Sequence, residues 1–421
     1  MASAQADSQW GSRLKSRRSF YNLEREVISK DNFNEEDKEK FFANLDDEVT
    51  ERKLRQVWSN LSGLWFVHSK MSTWEEPYQE RKLGLLPRSR ESGESVLARH
   101  DIAAFCCKGC KDIDDFSPGQ DNFSCARLAG GFRLHCIADG HGPGGHWVSD
   151  RVVRILPYFL SSRDCRSLLC KGEVESALNS AFERMEEDLE SAAEQDDINL
   201  LVAGTTVVCI LRQIHSPIVW VACVGDSRAI HLCGDGKVSF STNDHKPSNP
   251  VERERVIRHG CEITVSAAEN GEELEKICVE GERGRVPELG FTRSLGDLMY
   301  KRFGVIAEPE IFKLEKELDS SGHFILASDG VWEFLSSDDI AKIVQSKLAV
   351  GMPKEAIVRE VAQVARAKWK EEDEYCDDIS VIMVPTAQKT AAPPAPDDSC
   401  LGGLIYCSEE MRARIEKLFG P

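Results

Sequence analysis

Two apolar runs, Thr205 to Leu211 and Ile218 to Val224, are parted only by a short segment holding His215-Ser216-Pro217. β-Branched and apolar side chains stand at successive positions, so neither face of this hairpin suits water. A hairpin buried on both faces needs a covering layer on each side, and the chain supplies candidates. Gly145 to Phe159 places Val148, Val152, Ile155, Leu156 and Phe159 at helical spacing. Glu173 to Ala193 does the same with Val174, Leu178, Ala181, Met185, Leu189 and Ala192. Ser336-Ser337-Asp338-Asp339 reads as the cap of a helix reaching Leu348, and Pro353 opens another through Trp369. Strands in blocks alternating with helical pairs point to an α+β sandwich covered by helices.

Acids sit where strands stop. Four short motifs follow in order: Asp139-Gly140-His141-Gly142, Gly225-Asp226-Ser227-Arg228, Ala327-Ser328-Asp329-Gly330 and Cys376-Asp377-Asp378-Ile379-Ser380. Three adjoin runs that read as buried strands, Phe132 to Ala138, His323 to Ala327 and Ile379 to Val384. Several carboxylates converging from distant parts of a chain repel one another unless a cation lies among them. A single Asp-Gly pair is often only a turn; four such motifs in order are harder to dismiss. Their donors are hard oxygens, with no His-x-x-x-His nearby, which suits magnesium or manganese better than zinc. Two such ions about 3.5–4 Å apart can share a water and aim it at phosphorus.

The formal net charge of -18 argues against a nucleic-acid surface and against an anionic-membrane anchor. No apolar run approaches the length of a bilayer span, so no membrane insertion is expected. Met1-Ala2-Ser3-Ala4 starts no apolar signal core, and Ala2 stands where myristoylation requires glycine. A cytoplasmic location, with the nucleus also open to it, is therefore expected, and the fifteen cysteines should be reduced thiols. Cys136, Cys209, Cys223 and Cys233 lie in apolar runs, where thiols behave as small hydrophobes. Cys107-Lys108-Gly109-Cys110 offers one Cys-x-x-Cys pair, and zinc would need a second.

Further motifs fill the gaps: Gly204-Thr205-Thr206, Asp244-His245-Lys246-Pro247, Glu252-Arg253-Glu254-Arg255, Phe291-Thr292-Arg293-Ser294-Leu295-Gly296-Asp297 and Ala307-Glu308-Pro309. With these the chain resembles the protein phosphatase 2C family, metal-dependent Ser/Thr phosphatases, from about Val96 to Pro385. The resemblance implies two packed antiparallel sheets with helices on both outer faces and metals at one end. It implies hydrolysis of phosphoserine and phosphothreonine in proteins by a metal-activated water, without a covalent intermediate. Asp139, the carbonyl of Gly140, Asp329 and Asp377 match the ligands of two Mg2+ or Mn2+ ions, and Asp121 matches a direct or water-bridged ligand. Asp226, Asp329 and Glu333 match the site of a weaker third ion in some members, with Glu333 standing where animal members carry Asp. His141 matches the residue proposed to protonate the leaving alkoxide, a role suited to an imidazole.

The first acidic motif departs from the pattern. Many members place a phosphate-binding Arg a few residues before Glu-Asp; here the stretch is Gly119-Gln120-Asp121-Asn122, and Phe116 occupies the Arg position. Lys108 or Lys111 is expected to supply that charge, as a point charge rather than a fork. Val256 to Val286, polar and poorly periodic, corresponds to the family's flap and reads as a mobile surface loop.

Residues 1–95 and 387–421 lie outside the catalytic domain expected at 96–386. Asn34 to Val57 reads as a charged helix with Phe41, Phe42, Leu45, Val49 and Leu54 mostly on one stripe, able to dock on that domain. Trp58 to Pro77 is faintly like a WW module, which grips proline-rich or regulatory partners. The short gap between Trp65 and Trp74 and the absent Tyr-Tyr pair favour aromatics packed on the catalytic domain instead. Thr386 to Ser399 has the composition of a linker, and Ser408 to Phe419 suits a short helix. Three functions stand open: a monomeric phosphoprotein phosphatase, a catalytically weak or inactive phosphatase-like binding protein, and a scaffold acting through the aromatic segment.

Overall fold

The computed structural model describes residues 51–387 apart from 61–62, 73–74, 88, 112–116, 268–272, 282–283, 286–287, 316–317 and 373–374. The chain opens with α1 (Glu51–Asn60), the hairpin β1 (Trp65–Ser69) and β2 (Leu83–Leu86), and α2 (Gly93–Arg99). Strands β3 (Ala103–Cys107), β4 (Asp121–Leu128) and β5 (Phe132–His141) follow, then helices α3 (Gly145–Leu160), α4 (Arg163–Lys171) and α5 (Val174–Asp196). Next come β6 (Gly204–Gln213), β7 (Val219–Val224), β8 (Arg228–Leu232), β9 (Val238–Ser241), α6 (Pro250–Arg258), β10 (Glu262–Ala267) and β11 (Glu273–Cys278). The chain then forms β12 (Glu310–Leu314), β13 (His323–Ala327), α7 (Ser337–Ala349), α8 (Lys354–Glu372) and β14 (Ile379–Pro385).

Two antiparallel sheets result. The larger runs β12-β7-β6-β5-β4-β1-β2, with Leu295–Gly296 paired to β6; the smaller runs β3-β14-β13-β8-β9. Period-two alternation sorts β5 between two layers. Ile137 joins Phe123, Val208, Phe324 and Ile382 in the space between the sheets. Leu134, Cys136 and Ala138 face outward onto Val152, Leu156, Phe182 and Met185 of α3 and α5. Across the molecule, Ile325, Val381 and Met383 pack on Ile340, Val344, Val361 and Trp369 of α7 and α8. The layers are α-β-β-α, as the doubly buried hairpin β6–β7 requires. Ser336 and Asp339 close the expected cap of α7 reciprocally, each side chain accepting from the other's backbone N–H. No helix among the described residues is long and apolar enough to cross a membrane.

Three features differ from the sequence reading in an informative way. Strand β5 does not stop at Ala138 but carries Asp139, Gly140 and His141 into the ladder, opposite Thr206, Thr205 and Gly204. The stretch expected as a mobile loop holds the antiparallel hairpin β10–β11 over a small core of its own: Val256, Cys261, Ile277, Val279, Leu289, Tyr300 and Val305. Its apolar members are scattered over distant segments, so no local period betrayed them. The aromatic segment before residue 95 packs on the sandwich as its spacing favours, with Trp58 and Phe66 buried in the helix-covered core, but it also adds a strand, since β1 pairs with β4. Trp74, most of the expected Asn34–Val57 helix and everything after Ala387 lie outside the described residues.

Trp58 is fully buried, and its ring lies 4.9 Å from that of Phe66. Trp58→Ala is expected to cost about 3–5 kcal/mol of stability. A denaturant midpoint that stays within 1 kcal/mol of wild type, roughly the level of a surface change, would show α1 to be a separable appendage.

Candidate metal centre

Antiparallel pairing brings the acids to one end of the sandwich. Asp121 begins β4 and Asp139 stands near the end of β5, directly opposite each other in register. Asp329 follows β13 and Asp377 precedes β14, and these strands pair antiparallel, so both emerge together. Asp226 follows β7 at the same end, beyond a Gly225 with φ of 94°.

The side chains interact strongly. Burial first, then Asp329, Asp121 and Asp377, push the Asp139 carboxyl well above the usual carboxylate range. Asp329 is raised likewise, by burial and then by Asp226 and Asp377. Asp121, 1% exposed, is raised to about 7, chiefly by burial and the neighbouring Asp378, although Ser328 Oγ donates to its Oδ2 at 2.6 Å. Its other oxygen, Oδ1, is buried without a hydrogen-bond partner. That orphaned acceptor, amid hard oxygens that repel one another, fits a divalent cation of the magnesium or manganese type.

Backbone geometry leaves the space. A Cβ on Gly140 would fall 2.2 Å from the carbonyl oxygen of Gly145, and one on Gly330 would fall 1.9 Å from that of Asp378. Only glycine lets the backbone at these two positions come so close to its neighbours. Asp378 itself accepts from the backbone N–H of Gly109 at 2.6 Å and from that of Gln120, pinning the loop before Asp121. Trp369 Nε1 donates to Gly330 O at 2.7 Å and fixes the turn after Asp329.

Around this mouth stand the other expected residues. His141 Nε2 meets Asp297 Oδ2 at 2.7 Å, with the imidazole 21% exposed and the carboxylate fully buried. Burial alone would raise Asp297, but His141, Ser294 and Lys301 together hold it below the usual carboxylate range. Lys111 Nζ lies 2.9 Å from Asp377 Oδ1 at the rim. Lys108 is buried and donates to Ser117 O at 2.7 Å. Glu333 and Asp226 share Lys246, whose Nζ is 3.4 Å from the first and 4.0 Å from the second.

Residues 107–373 match the family model described as Protein phosphatase 2C. The chain belongs to the protein phosphatase 2C family. It is similar to Probable protein phosphatase 2C 73 of Arabidopsis thaliana, 31% identical over 291 residues that cover 62% of this chain and 75% of that one. It is also similar to Probable protein phosphatase 1N of Mus musculus, 28% identical over 324 residues, covering 74% of this chain and 71% of that one. The fold is shared with a solved serine-threonine phosphatase 2C from Toxoplasma gondii, with a TM-score of 0.54 at 17% identity, covering 75% of this chain and 98% of that one. Protein phosphatase 2C members are protein serine/threonine phosphatases that depend on metal, and this chain is one of these enzymes.

Sequence reasoning missed several residues of this protein phosphatase 2C site. Asp297 and Lys246 stood inside motifs it had singled out, but their partners are far away in the chain. Arg81 carried no signal at all. Buried with Glu75, its guanidinium forks onto that carboxylate and donates to the carbonyls of Asp121 and Gly119 and to Asn122 Oδ1 at 2.9 Å. Glu75 Oε2 in turn accepts from Gly119 N at 3.0 Å. A pair lying before the family-matched span thus grips the strand start that bears Asp121.

Cys223, His245 and Glu310 also bring ligand-type atoms within 4.8 Å of one another. Gly225 N donates to His245 Nδ1 at 3.0 Å, which places the imidazole proton on Nε2, facing Glu310 Oε2 at 3.3 Å. With both nitrogens so engaged, the group reads as a hydrogen-bonded chain rather than a metal site.

Two outcomes are expected. A carboxyl whose folded pKa is raised binds more protons folded than unfolded, so stability falls as pH rises from its unfolded value near 4 through the raised one. Metal-free Asp139→Asn should therefore be more stable than wild type at pH 8, by roughly 1–3 kcal/mol, and the gain should fade towards pH 4. Denaturant titrations at both pH values check it; a gain independent of pH contradicts the crowding. Arg81→Met should weaken manganese binding about tenfold or more by calorimetry, an effect on the order of 1.4 kcal/mol. Unchanged affinity would show the strap to be inert.

Proposed function

We propose that this chain hydrolyses phosphoserine and phosphothreonine in proteins, with Asp121, Asp139, the Gly140 carbonyl, Asp329 and Asp377 holding two magnesium or manganese ions. The observation that carries this reading is the convergence of Asp121, Asp139, Asp329 and Asp377, where burial and then neighbouring carboxylates raise three of them and a buried oxygen of Asp121 is left unpaired. When bound, the ions would neutralise phosphate charge and supply a nucleophilic water of lowered pKa.

The chain's own groups do the remainder. His141 donates the proton that a serine or threonine alkoxide needs on leaving. Asp297, locked by Ser294 Oγ at 2.6 Å, engages Nε2, orients the ring and leaves Nδ1 for the leaving oxygen. Phe291 packs against the imidazole at 4.7 Å and limits its swing. Of the two candidate lysines, Lys111 at the rim is the better placed to meet a phosphate oxygen, because Lys108 is buried against Ser117. Lys246 supplies positive charge between Asp226 and Glu333, where some relatives hold a weaker third ion. A binding-only role draws support from Phe116 in the Arg position, but the complete set of acids favours catalysis.

A phosphothreonine peptide should be dephosphorylated with magnesium or manganese and left intact with a chelator, and Asp139→Asn should abolish turnover. His141→Ala and Asp297→Asn should lower kcat on alkyl phosphates by about 10²–10⁴-fold and much less on aryl phosphates, whose leaving groups need no proton. Equal losses on the two substrate classes would remove His141 as the acid. Chelator-resistant turnover would overturn the metal assignment.

A further inference from the structure

The inter-sheet layer is charged at both ends. Arg133, His135, Ile137 and Asp139 alternate onto one face of β5, with Ile137 in the core between the sheets. Arg133 lies six residues from Asp139, about 20 Å along an extended strand. At that remote end Arg212 of β6 stands directly opposite Arg133, and Arg127 of β4 flanks it on the other side. Like charges directly opposite on neighbouring strands destabilise a sheet.

Solvent does not relieve them. Arg133, His135 and Arg212 are 7%, 1% and 6% exposed, and they line a cavity of about 10 Å³ with His100, Ile102 and Val384. Arg133 Nε, His135 Nδ1 and Arg212 Nε are buried with no hydrogen-bond partner. The remaining guanidinium contacts are neutral: Arg133 Nη2 to His100 Nδ1 at 3.4 Å, and Arg212 to Pro385 O at 3.3 Å and Thr386 O at 2.9 Å. Among the described residues no carboxylate pairs with Arg133, His135 or Arg212. Burial and the arginines push His135 down to about 3 and His100 to about 4, and Arg212 falls to about 10. Removing guanidinium groups from water without a counter-charge costs several kcal/mol each.

We infer that this cluster binds one monatomic inorganic anion of chloride size between Arg133, His135 and Arg212. Water would satisfy the donors but not the charge. The cavity is close to the volume of a single water-sized particle, which excludes sulfate and phosphate. The anion braces the ends of β5 and β6 against Pro385 and Thr386, where the smaller sheet ends.

The full-length protein is melted in sodium gluconate with chloride replacing gluconate at constant ionic strength. Tm should rise saturably by about 2–4 °C, and bromide should act like chloride. Arg133→Met and Arg212→Met should each abolish the response. A wild type indifferent to chloride, or variants that respond as wild type does, overturns the site. A sulfate response that vanishes in both variants overturns the monatomic assignment. Should the variants not fold, ³⁵Cl line broadening on wild type decides: excess broadening displaced by bromide supports the site, and its absence overturns it.

Discussion

Mutual repulsion among buried carboxylates is the constraint to which the rest of this structure answers. Asp121, Asp139 and Asp329 each resist ionisation because of burial and then of neighbouring carboxylates: Asp378 and Asp377 around the first, Asp329, Asp121 and Asp377 around the second, Asp226 and Asp377 around the third. Left on flexible loops they would move apart; here each is fixed to the end of a strand whose pairing leaves it no retreat. The glycines at 140 and 330, the Asp378 bonds to the preceding loop, and the Trp369 bond to Gly330 all hold the acids close against that repulsion. Such strain is a familiar feature of sites whose ligand supplies the missing charge.

Different charges around the mouth have different jobs. His141 faces a fully buried carboxylate and stays partly exposed, an arrangement that fixes one ring nitrogen and offers the other. Both rim lysines are held by acids, Lys246 by Glu333 and Asp226 and Lys111 by Asp377.

Much of this was legible in the sequence, and the gaps have physical causes. Doubly apolar β6 and β7 and the periodic α3 and α5 revealed the layers, because burial on both faces or on one stripe leaves a local signature. The strand-end acids announced their own convergence, since residue type and order carry that signal. Asp297 was read as part of a motif but not as the partner of His141, because 156 residues separate them and only the fold closes that distance. The flap hairpin leaves no local signature because its core is assembled from separate segments. Arg81 was invisible for a stricter reason: a lone arginine in a polar stretch looks solvated until its five donors are seen to be spoken for.

The Glu75–Arg81 strap has a consequence for how this gene can be cut. The span that matches the family begins at residue 107, so an expression boundary drawn there would discard the groups that clasp Gly119 and Asp121. Domain shuffling meets the same obstacle. An N-terminal segment swapped in from another protein would have to bring an equivalent acid–guanidinium clasp to hold Gly119 and Asp121.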